Sequence, residues 1–125
     1  MAGQNLKGLA RLRGALVNSL KGYRATWIHE EAFRQEVWLF AAAAPLGLWL
    51  GTNGVEKVLL VGSVLLVLIV ELLNTGIEIV VDRISFERHE LSGRAKDVGS
   101  AAVLTALALA AATWGLILGP HYLGG

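Results

Sequence analysis

The sequence predicts an all-α membrane protein: an N-terminal amphipathic surface helix followed by three transmembrane helices, in a single domain over residues 1–125. Three observations predict it. The chain is 54% hydrophobic and only 17% charged, with a mean hydropathy of +0.56, a balance expected where lipid solvates much of the surface. Apolar runs recur at about 37–54, 58–81 and 98–118. Charge is uneven: residues 1–36 hold Lys7, Arg11, Arg13, Lys21, Arg24 and Arg34, whereas residues 98–125 contain no Lys, Arg, Asp or Glu.

In residues 1–35, Leu6, Leu9, Leu12, Leu16, Leu20, Tyr23 and Trp27 recur at steps of three and four, with Lys7, Arg11, Asn18 and Lys21 largely opposite. This pattern fits a helix lying in the membrane surface with basic side chains among anionic headgroups. The same stripe would also suit packing on protein. No compact apolar core or small-residue cleavage site marks a signal peptide, so this segment is expected to stay in the mature protein.

The first run, VWLFAAAAPLGLWLGTNG, spans about 27 Å as a helix, enough for a thin bilayer, and Pro45 should kink it or free a carbonyl. GTNG then reads as a tight turn. The second run is the clearest span. The third is alanine-rich, with Ala102, Ala106 and Ala110 on one face that would let helices approach closely. Trp38, Trp49, Trp114 and Tyr122 suit membrane interfaces, although Trp114 would equally suit burial. The 51–57 connection has one lysine, while the 82–97 connection has Arg83, Arg88, Arg94 and Lys96. Positive-inside bias therefore places the N-terminus and the 82–97 loop in the cytoplasm and the C-terminus outside.

Glu71, Asn74, Glu78 and Asp82 fall on one helical face of the second span, where a merely structural helix would carry leucine or valine. Ionisable groups in a span point to function by default, although polar ties between helices are the plainer account. Glu71 and Glu78 are about 10 Å apart along the axis, so they can divide the work. Glu78, nearer water, suits a divalent ion such as Mg²⁺, which takes one or two carboxylates plus phosphates and water. Glu71, deeper, suits a base reached by a lipid hydroxyl, with Asn74 between them as a hydrogen-bonding partner.

Before the first span, IHEEAFRQE supplies Glu30, Glu31, Arg34 and Glu36. Glu30 and Arg34 could be an ordinary i,i+4 pair, or Glu30 could complete the ion's shell. In DRISFERHELSGRAKDVGS, Ser92 and Gly93 suit a turn and helix start, which places Lys96 in the first turns of the third span. A lysine there opposes the helix dipole but serves a phosphate, and Asp97 would hold the lysine or a nucleotide hydroxyl. An ordinary capped helix start is the competing account.

Several classes are excluded or disfavoured. The absence of cysteine rules out disulfides and thiolate metal sites, and there is no Walker A, Rossmann or protein-kinase motif. Basic residues border apolar segments and build no nucleic-acid surface. Three thin helices offer little room for a nucleotide, a metal and a lipid, which favours a homo-oligomer with sites between chains.

EAFRQE, VELLNTGIEIVVDRI and HELSGRAKDVGSAAV, in this order around three spans, closely resemble the small integral-membrane diacylglycerol kinases of bacteria, over nearly the whole chain. The resemblance implies a domain-swapped homotrimer in the inner membrane that transfers the γ-phosphoryl group of ATP to diacylglycerol with Mg²⁺, making phosphatidic acid for lipid recycling and phospholipid metabolism. It implies Glu71 as general base, Glu30 and Glu78 as metal ligands, Asn74 supporting the base or phosphate geometry, and Lys96 and Asp97 at the nucleotide phosphates. Arg34, Glu36 and Ser100 resemble substrate-contact positions, and Glu31 stands where a small residue is expected. Undecaprenol is the alternative lipid alcohol, and a non-enzymatic assembly or small transporter is the reading from a different class.

Overall fold

A computed structural model of the chain describes residues 7–84 and 89–124; Leu6 of the predicted surface stripe and Arg88 of the predicted cytoplasmic loop lie outside them. Four helices follow in order: α1 (Gly8–His29), α2 (Glu31–Leu50), α3 (Gly54–Ile84) and α4 (Glu90–Tyr122). They divide into two units, one ending at Glu31 and one beginning at Ala32.

In the first unit, α1 begins at Gly8, whose φ of +61° lies in the left-handed region that L side chains rarely adopt, although a Cβ there would meet open space. Leu9, Leu12, Leu16 and Leu20 form an exposed apolar row. The helix ends at Glu30, which turns to extended backbone while its N–H donates to Thr26 O at 2.9 Å.

The second unit is built on α3 and α4, which run antiparallel: Leu60 meets Trp114 near one end, and Asp82 meets Lys96 near the other. Helical rise makes them about 46 and 50 Å long, so each exceeds a hydrocarbon core of about 30 Å. Among the described residues these two helices are long and apolar enough to cross a membrane. Helix α2 falls short by the same measure because Arg34, Gln35 and Glu36 occupy its first two turns.

Leu60, Val64, Val67 and Ala106 are buried in the core with Phe33 and Ala43 of α2. Gly47 lets α2 approach α3 closely, since a Cβ there would lie 3.1 Å from the Leu60 Cβ. Trp114 is half-buried and donates Nε1–H to Leu60 O at 2.9 Å, choosing the interior of the two places open to it. Of the predicted alanine stripe, Ala106 is buried and Ala110 half-buried, but Ala102 is exposed.

The turn at 51–53 is built as a local cap. Asn53 Oδ1 accepts from Glu56 N, and Glu56 Oε1 accepts from both the N–H and the hydroxyl of Thr52, each at 2.9 Å. This reciprocal arrangement satisfies donors at the start of α3. Pro45 lies inside α2, which continues through it to Leu50.

The second connection differs from expectation. Helix α4 starts at Glu90, with His89 Nδ1 accepting from Leu91 N at 3.0 Å, so Ser92 and Gly93 lie inside the helix. A histidine supplied the cap that the Ser-Gly pair was expected to mark.

Candidate active site

Where α3 and α4 pass each other, four residues set the geometry. Glu71 is buried at 5% exposure at the start of the polar face of α3, next to its apolar part. One turn on, Asn74 lies against Gly99 of α4, where a Cβ would collide with the amide oxygen. Gly99 is buried and follows Lys96 by three residues, so both look out from one face of α4. The missing side chain at position 99 is therefore what admits Asn74 between the helices.

Asn74 Nδ2 donates to Glu78 Oε1 at 3.4 Å, a long bond that ties the amide to the carboxylate as expected. Asn74 Oδ1, in contrast, is buried with no hydrogen-bond partner, as are Thr75 Oγ1 and Glu36 Oε1. Leaving such groups unpaired costs about 1–3 kcal/mol each, so their clustering asks for a reason. The Glu78 carboxylate and the free lone pairs of Asn74 Oδ1 offer hard oxygen donors of the kind Mg²⁺ takes. Among the described residues no three His, Cys, Asp or Glu side chains gather as a metal centre, so an ion here would need ligands beyond these.

Glu36, one residue before the first apolar run, is half-buried and approaches Glu71. Burial first, then the hydrogen bond and negative charge of Glu71, push its carboxyl up to about 8. Glu36 thus holds a proton at neutral pH beside the buried Glu71.

Lys96 stands in the second turn of α4, and its Nζ lies 2.7 Å from Asp82 Oδ1. Of the two roles expected for Asp97, holding this lysine or a nucleotide hydroxyl, the first falls to Asp82; Asp97 is exposed on a different side of the helix. Adjacent helical residues point about 100° apart, whereas Asp82 faces Lys96 across the interface. Ser100 is exposed and Arg34 half-buried. Glu30 lies in the first unit, half-buried at the end of α1.

Three residues given no role from sequence share this region: Thr75, Asp82 and Gly99. Asp82 carried a signal, since it completes the acidic face. Gly99 carried a weaker one, a glycine one turn from a lysine in an otherwise alanine-rich helix. Farther along the same helices, Leu39, Ala43, Val64, Leu107, Ala110 and Trp114 line an apolar cleft of about 390 Å³.

Residues 17–118 match the profile of a family described as prokaryotic diacylglycerol kinase. The chain is similar to a diacylglycerol kinase of Escherichia coli strain K12, with 52% identity over 94% of this chain and 97% of the relative. It is 49% identical to that of Haemophilus influenzae over 89% of this chain and 94% of the relative. It is 47% identical to that of Pseudomonas aeruginosa over 89% and 90% respectively. A profile match over most of the chain, with relatives at this identity, means that the chain belongs to the prokaryotic diacylglycerol kinase family.

Proposed function

We propose that the protein phosphorylates 1,2-diacyl-sn-glycerol with ATP at the cytoplasmic membrane interface, making phosphatidic acid for lipid recycling and phospholipid metabolism. The observation that carries this reading is the buried Glu71 carboxyl, held between helices beside unpaired polar atoms, in a chain whose relatives are diacylglycerol kinases. A structural helix would not leave those groups unpaired at such cost.

The reaction is a direct in-line transfer. The lipid hydroxyl oxygen forms a bond to the γ-phosphorus as the bond from that phosphorus to the β,γ-bridging oxygen breaks, and ADP leaves. Glu71 accepts the hydroxyl proton; Asn74 holds the neighbouring Glu78 carboxylate in orientation. The Lys96 ammonium offsets phosphate charge, with Asp97 close to the nucleotide. Glu36, Arg34 and Ser100 contact the lipid substrate. Glu78 and Glu30 would hold Mg²⁺, which would supply charge neutralisation to the phosphates. The apolar cleft beyond the polar level supports a substrate with acyl chains.

The working form is a domain-swapped homotrimer in the bacterial inner membrane, with residues 37–54 as a third span and α1 on anionic headgroups. The basic 82–97 connection supports a cytoplasmic site, where ATP is available.

ADP release by the purified protein in lipid micelles with Mg²⁺ and ATP tests the reading. Release should depend on added diacylglycerol and be weak with undecaprenol. Preference for undecaprenol would reassign the lipid, and release indifferent to either alcohol would overturn the reading.

A further inference from the structure

We propose that Asp82 is a positioning residue for Lys96, fixing its ammonium on the carboxylate face of α3 so that it is ready for the nucleotide phosphates. This rests on the reading of Lys96 as a phosphate contact.

The contact is 2.7 Å from Nζ to Oδ1, between side chains that are both about two-fifths exposed. Backbone geometry brings them together. Helical side chains lean toward their own N-terminus, and α4 begins at the end of the interface where α3 finishes, so Lys96 leans toward the last turns of α3. Asp82 stands there, one turn beyond Glu78, whose charge also reaches the lysine.

Two physical problems are answered by the pair. A lysine in the second turn of a helix opposes the positive end of its dipole, and a carboxylate across the interface offsets that. The four-carbon stem also has many rotamers, most of which carry the ammonium into solvent and away from the site. A half-exposed ion pair is weak, so it orders the stem yet yields when a more highly charged triphosphate arrives. Asp97 cannot do this, being adjacent in sequence and turned aside.

The test is the affinity of the full-length protein for MgATP, measured by titration in lipid micelles for wild type, Asp82→Asn, Asp82→Glu, Lys96→Met and the Asp82→Asn/Lys96→Met double variant. Asp82→Asn should weaken MgATP about fivefold with the diacylglycerol KM unchanged, and Asp82→Glu should recover most of the loss. In the Lys96→Met background, Asp82→Asn should have no further effect. Should Asp82→Asn fail to fold, Asp82→Ser provides a second neutral variant with the same expectation. Unchanged affinity in Asp82→Asn, or an equal loss with and without Lys96, would overturn the positioning role alone. Unchanged affinity in Lys96→Met would overturn the phosphate-contact reading and this inference with it.

Discussion

The two ends of the α3–α4 interface obey different rules. Toward the 51–53 turn, Leu60 is fully buried, Trp114 donates to its carbonyl, and Ser63 donates to the same oxygen at 3.1 Å. Even the exposed polar groups there are paired: Glu56 caps Thr52 and bridges to His121 at 3.3 Å. Toward the other end, Glu71 is as buried as the aliphatic core, and three buried polar atoms on Glu36, Asn74 and Thr75 lack partners. One end is packed and satisfied, and the other is held incomplete. In lipid, where helices associate through packing and polar ties, the satisfied end can carry the association and leave the other free for chemistry.

Four substitutions sharpen that contrast. Glu71→Gln should lower lipid phosphorylation by about 10²-fold or more while leaving thermal unfolding unchanged, because a neutral amide keeps the packing but accepts no proton. Normal turnover in a folded variant would remove Glu71 as the base. Leu60→Ala should do the reverse. Chemical unfolding in micelles should show a loss of about 2 kcal/mol, at the low end for core truncation because lipid replaces water as the alternative solvent, with turnover per folded molecule unchanged.

Gly99→Ala lies between these extremes. Its methyl would displace the Asn74 amide, the mobile end of a side chain, so stability should fall by about 1 kcal/mol or less while kcat/KM drops about tenfold. A change in stability alone would separate Asn74 from the chemistry.

The smallest effect is a pH dependence at Glu36. Its folded value of about 8 lies above the ordinary 4.5, so the stability that comes from protonation is complete below pH 4.5 and is lost as pH rises through 8. The melting temperature of the wild type should decline across that window, and Glu36→Gln should flatten the decline. An equal slope in both proteins would assign the dependence to other groups.

Much of this contrast was legible in the sequence. Apolar run length gave the positions of α3 and α4, and helical periodicity put Glu71, Asn74, Glu78 and Asp82 on one face. GTNG marked the turn, although the capping bonds of Asn53 and Glu56 emerged only in the structure. What remained hidden depends on register between helices, which periodicity within one helix does not encode. Asp97 was one candidate partner of Lys96, the alternative being a nucleotide hydroxyl, while Asp82 is the partner because antiparallel packing brings it opposite. The place of Gly99 against Asn74 is likewise a property of the pair of helices. The start of α4 was misjudged because the ring nitrogen of His89, rather than Ser92, accepts the first backbone donor.

The most direct test of the central claim is to follow the γ-phosphorus of labelled ATP in micelles containing Mg²⁺, diacylglycerol and the purified protein. The account predicts that the label appears in phosphatidic acid and that Glu71→Gln abolishes its transfer. Label found only as inorganic phosphate or bound to the protein, or transferred equally well by Glu71→Gln, would contradict it.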